Sequence, residues 1–113
     1  MAMQRSEIDR AIDRLQREHY PEMDNRVRQY LEYHTQLLPV LGELPNQVGH
    51  YFGRRADVFL TRAGCLKRGC GLLVRIKTPL SQEDAWERLD RLDHGWWLSQ
   101  ADWVRDQIRV EVQ

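Results

Sequence analysis

Several groups of residues in this chain could do chemistry, and each points to a different kind. Cys65 and Cys70 form a C-x4-C pair with Arg62, Lys67 and Arg68 close by. Neighbouring cations lower a thiol's pKa and favour the reactive thiolate. Zinc knuckles are usually spaced more tightly and occur in pairs, and these are the only two cysteines in 113 residues, so no metal site is expected. Flanking a four-residue loop, they lie within reach of a disulfide, but in a reducing compartment they read as free thiols. Glu87, Asp90 and Asp93 precede His94, and positions 87, 90 and 94 share one helical face. Such a set can move protons or hold a divalent cation. No HExxH or comparable ligand spacing completes it, and an exposed acidic helix face is the better reading. A small enzyme built from scattered residues such as Asp90, Asp93, His94 and His50 remains as a third reading. The chain carries no G-x-S-x-G, P-loop or G-x-G-x-x-G element, so no cofactor is expected.

Two further patterns suggest binding. All four tryptophans (Trp86, Trp96, Trp97 and Trp103) fall within 18 residues. Adjacent Trp96 and Trp97 cannot easily point the same way. One is expected in the core, and Trp96, Trp97 and Trp103 together are the candidate partner-binding residues, because exposed indoles concentrate at interfaces.

The 17 Lys and Arg equal the 17 Asp and Glu, but the charge is segregated. Residues 51–80 carry Arg54, Arg55, Arg62, Lys67, Arg68, Arg75 and Lys77 against Asp57 alone, whereas the segment after residue 80 is acidic. The basic stretch suits an acidic protein partner or, as an alternative, nucleic acid. Tyr51 and Phe52 ahead of Arg54 and Arg55 resemble a base-stacking strand. As neighbours, however, only one of the two could face outward.

The elements that must position these residues follow from periodicity. With 42% hydrophobic and 30% charged residues, the chain is too apolar for disorder and long enough for one self-sufficient domain spanning 1–113. No apolar run approaches the ~18 residues of a membrane span and no signal-peptide core opens the chain, so the expected location is cytoplasmic. Ile8, Ala11, Ile12, Leu15 and His19 predict a helix over 6–19 with Ser6 as its cap. Pro21 suits the first turn of a second helix, whose spacing runs to about residue 38, although a strand over 26–34 also fits poorly. Pro39, Gly42 and Pro45 read as a connector. From Val48 the runs VGHYFGRR, ADVFLTR and GLLVRIKT read as strands, the last two joined in a hairpin through the glycine-rich 63–71 loop. Ser81 should cap a helix with Ala85, Leu89, Leu92 and Trp96 as its buried stripe and Gly95 as a left-handed stop. A strand over 104–112 then follows, parallel to 71–78. The expected fold is α+β: two N-terminal helices, a mainly antiparallel sheet of three or four strands, a crossover helix and a C-terminal strand. The expected function is a non-enzymatic protein-binding or regulatory domain that forms a homodimer or docks on another protein.

Overall fold

A computed structural model describes residues 4–64 and 71–112. Helix α1 (Arg5–Glu18) buries Ile12 and Leu15 along one stripe. Ser6 lies inside its first turn, and Gln4 occupies the cap position without a side-chain bond. The Tyr20–Pro21 break holds, but α2 starts later, at Asn25–Tyr33, where the Asp24 carboxylate accepts from the Val27 amide at 3.0 Å. A local capping carboxylate therefore fixes this start, and Pro21 stays in the turn.

The largest correction follows. In place of a connector and a first strand, the chain forms a 3-10 turn (Thr35–Leu37) and then a 15-residue helix α3 (Leu38–Phe52). The N-terminal half therefore has three α-helices instead of two, and residues 26–34 contain no strand. Helical spacing lies beneath the breakers: Leu41, Leu44, Val48 and Phe52 are all buried. Pro39 sits in the first turn, where a missing N–H costs nothing.

Pro45 lies inside the helix and cannot donate to the carbonyl of Leu41, four residues back. That carbonyl is on a residue with no solvent exposure. The Tyr20 hydroxyl donates to it at 2.7 Å, supplying from another element the bond that proline removes. Burial pushes the Tyr20 phenol well above its ordinary pKa, so it remains a donor at any physiological pH. Gly53, at φ 89°, ends α3 in a conformation other residues rarely adopt.

Strands β1 (Asp57–Arg62) and β2 (Leu72–Lys77) pair antiparallel, with Asp57 opposite Lys77 and Arg62 opposite Leu72. Helix α4 (Gln82–Gly95) starts where expected, the Ser81 hydroxyl accepting from the Asp84 amide at 3.2 Å. Its stop is not left-handed: among the described residues only Gly53 has positive φ. Gly95 is needed for close approach instead, because a Cβ there would fall 2.0 Å from the Tyr51 hydroxyl oxygen on α3. A short helix α5 (Asp102–Arg105) takes the first residues of the expected last strand, and β3 (Ile108–Val112) begins after it.

Among the described residues the sheet has three strands in the order β1-β2-β3, with β3 parallel to β2, so it is mixed. Alternation sets its two faces. Val58, Leu60, Leu72, Val74, Ile76, Ile108 and Val110 turn into the helical core, while Asp57, Phe59, Thr61, Leu73, Arg75, Lys77, Arg109 and Glu111 form the other face.

The repair of α3 predicts a coupled pair. Tyr20→Phe, which leaves a buried carbonyl unsatisfied, should cost about 1–3 kcal/mol in denaturant unfolding. In a Pro45→Ala background, where an amide is restored at position 45, the same change should be close to neutral. Equal losses in both backgrounds would refute the repair.

Candidate functional site

The structure separates the expected partner-binding tryptophans. Trp97 is buried at 7% exposure and belongs to the core. Trp96 is half-buried, its ring centroid 5.9 Å from that of Trp97. Trp103, on α5, is 47% exposed, and Leu98, in the 3-10 turn that precedes α5, is 48% exposed. The indole that projects furthest is Trp86 at 58%. Sequence reasoning did not single it out, yet the wheel position was legible: Ala85 and Leu92 face the core, and residue 86 is turned about 100° from Ala85.

On α4 the acidic residues do face solvent. Glu83, Glu87 and Asp90 are exposed on the side opposite Ala85 and Leu92, and Glu87 pairs with Arg91. Asp90 and His94 are both exposed, their side chains 3.3 Å apart, and the His94 ring also meets the Asp90 carbonyl at 2.9 Å. That carbonyl, then the Asp90 carboxylate, holds the imidazole pKa above its ordinary value. Partial burial, and then Asp90, raises Asp93. His50 is exposed on α3 and stacks edge-on against Tyr51 at 4.8 Å, without a hydrogen bond or ion pair to Asp90, Asp93 or His94. Among the described residues no group of three or more His, Cys, Asp or Glu is placed to hold a metal ion. No described helix is long and apolar enough to cross a membrane.

The basic segment divides into several places. Arg75 and Lys77 are exposed on the outer sheet face and form, with Phe59 and Thr61, a shallow cleft of about 290 Å³. Neither makes an ion pair with a described residue. Arg54 and Arg55 are exposed in the turn before β1, next to the Asp57–Lys77 end of the sheet. Arg62 faces the other way, its guanidinium 4.2 Å from the Tyr30 ring centroid and donating to the Gly71 carbonyl at 2.9 Å. Lys67, Arg68 and the Cys65–Cys70 pair lie outside the described residues. Tyr51 and Phe52, expected on a strand, end α3, so no base-stacking strand exists there.

A cleft that sequence reasoning missed opens between β1 and the α1–α2 turn. It measures about 500 Å³ and is lined by Glu18 to Met23, Pro45 and residues 56–61. No local motif could have announced it, because it joins three separate stretches of chain.

The chain matches no protein-family model, no curated protein and no solved structure.

The Asp90–His94 geometry has a measurable consequence. In an NMR pH titration the His94 imidazole should titrate above the ordinary histidine value, and Asp90→Asn should bring it down. The charged form is the one stabilised, so this contribution is complete below the unfolded-state pKa and fades as pH rises through the folded one. An unchanged midpoint in Asp90→Asn would show that the carboxylate plays no part.

Proposed function

We propose that the protein is a non-enzymatic docking domain that pairs with a second copy of itself. The observation that carries this reading is the placement of opposite charge, each with an exposed or half-exposed aromatic, on opposite sides of one small chain. The outward side of α4 offers Glu83, Glu87 and Asp90 around Trp86. The outer sheet face offers Arg75 and Lys77 around Phe59, with Asp57 opposite Lys77 at one margin and Glu111, paired with Arg109, at the other. Because α4 packs on the core side of the sheet, these surfaces look in opposite directions and cannot meet within one molecule. Between two copies they can. Large exposed aromatics of this kind anchor interfaces, and complementary charge sets their register. Leu98 and Trp103 extend the apolar surface beyond the end of α4.

A second reading is favoured by one specific observation: Phe59 lies beside Arg75 and Lys77, neither in an ion pair with a described residue, on the outer sheet face. That arrangement suits single-stranded nucleic acid, with base stacking on the ring and phosphates on Arg75 and Lys77. Affinity would then fall steeply with salt.

Light scattering coupled to size exclusion separates the two. Self-association predicts a concentration-dependent dimer that weakens as the screening length falls from ~8 Å at physiological salt to ~3 Å at 1 M. Trp86→Ala should cost at least about 2 kcal/mol of dimer stability if this indole is an interface anchor. It should leave the fold intact because the side chain is exposed. A monomer at every concentration and salt would reject self-association, and a low-salt gel shift with a single-stranded oligonucleotide would favour the second reading.

A further inference from the structure

The cleft beside β1 has a property that neither reading uses. Among the described residues β1 is an edge strand, paired with β2 alone. In an antiparallel ladder, directly opposite residues either exchange both backbone bonds or none, alternating along the strand. The Ala63 amide donates to the Gly71 carbonyl at 2.9 Å, which continues the register of the six β1–β2 partners from Asp57–Lys77 to Arg62–Leu72. Ala63 is therefore a bonded position, as are Thr61, Phe59 and Asp57. Val58, Leu60 and Arg62 must turn their N–H and C=O groups away from β2. The same rule operates across the ladder: Leu72, opposite Arg62, turns its N–H outward to the Gln107 carbonyl at 2.8 Å.

The outward groups of Val58 and Leu60 point toward the cleft, and no described residue bonds to them. Leu60 is only 4% exposed and Val58 is half-buried. Buried backbone groups are nearly always paired, so an unbonded edge recessed in a cleft calls for an occupant. Native sheets commonly blunt such edges with charge, bulges or a covering loop. Here the α1–α2 turn stands off far enough to leave about 500 Å³. The walls are apolar at Pro21, Met23, Pro45 and Phe59, while the charged side chains among the described residues lining it are Glu18, Glu22 and Asp57. Glu18 already pairs with Arg14 at 3.1 Å. Glu22 and Asp57 make no ion pair with a described residue.

We propose that this cleft is a strand-addition site for an extended peptide segment bearing Lys or Arg. The peptide backbone pairs with the free groups of Val58 and Leu60, which lie about 7 Å apart along the strand. Alternate side chains of the peptide reach Glu22 and Asp57, while the others lie against the apolar walls. This site does not depend on self-association through α4.

A test must separate backbone pairing from simple charge attraction. The probes are a fluorescein-labelled heptapeptide alternating Lys and Val, its Glu–Val counterpart, and a Lys–Val version N-methylated at alternate residues. The Lys–Val peptide should bind and shift the Val58 and Leu60 amide resonances. Methylation keeps the charge and blocks the ladder, and should weaken binding about tenfold or more. The Glu–Val peptide should bind more weakly than the Lys–Val one, and Glu22→Lys with Asp57→Asn should remove that preference. Equal affinity for the methylated peptide would overturn the proposal, as would binding that leaves Val58 and Leu60 unmoved. It would also fall if, in the Trp86→Ala variant that weakens pairing through α4, these two amides still shifted with protein concentration alone, because a second copy would then occupy the edge.

Discussion

The hydrogen bond from the Tyr20 hydroxyl to the Leu41 carbonyl organises the N-terminal half. Without it, Pro45 would leave a buried acceptor unsatisfied in the middle of α3, and a helix break there would be the cheaper outcome. With it, three things are settled together. α3 continues to Phe52 and brings Leu44, Val48 and Phe52 under the sheet. The turn after α1 is anchored to α3. Tyr20, Pro21, Glu22 and Met23 are held beside β1 in the same act, so the clasp that repairs the helix also builds one wall of the cleft.

The C-terminal half was largely readable because its signals are local and agree with one another. Ser81 with Asp84 announces the start of α4, and alternation in DVFLTR and LLVRIK announces two half-covered strands. The parallel placement of β3 follows from strand, helix and strand in sequence. The helix α3 was not legible because Pro39, Gly42 and Pro45 are local breakers, while the bond that overrides Pro45 comes from Tyr20, 21 residues before the Leu41 carbonyl that it satisfies. Gly95 was legible as a helix end, but the reason lies in Tyr51, on another helix.

The candidate surfaces show the same division. Segregated charge and clustered indoles are properties of sequence, and the α4 acids and the outer-face cations are placed accordingly. Which indole projects is decided by helix phase and packing, so Trp97 enters the core and Trp86 stands out. Arg62 left the cationic set because strand alternation turns it toward Tyr30. The edge cleft could not be read at all, since an open ladder becomes visible only once the sheet order is known.

Peptide capture therefore depends on a sheet edge that folding leaves unpaired and that the α1–α2 turn borders without closing. Amide hydrogen exchange of the free protein, resolved residue by residue, tests this most directly. Phe59 and Thr61, bonded to β2, should exchange slowly, and Val58 and Leu60 should exchange much faster, giving a two-residue alternation along β1. Uniform slow exchange through all of β1 would mean that the edge is already covered and would contradict the account.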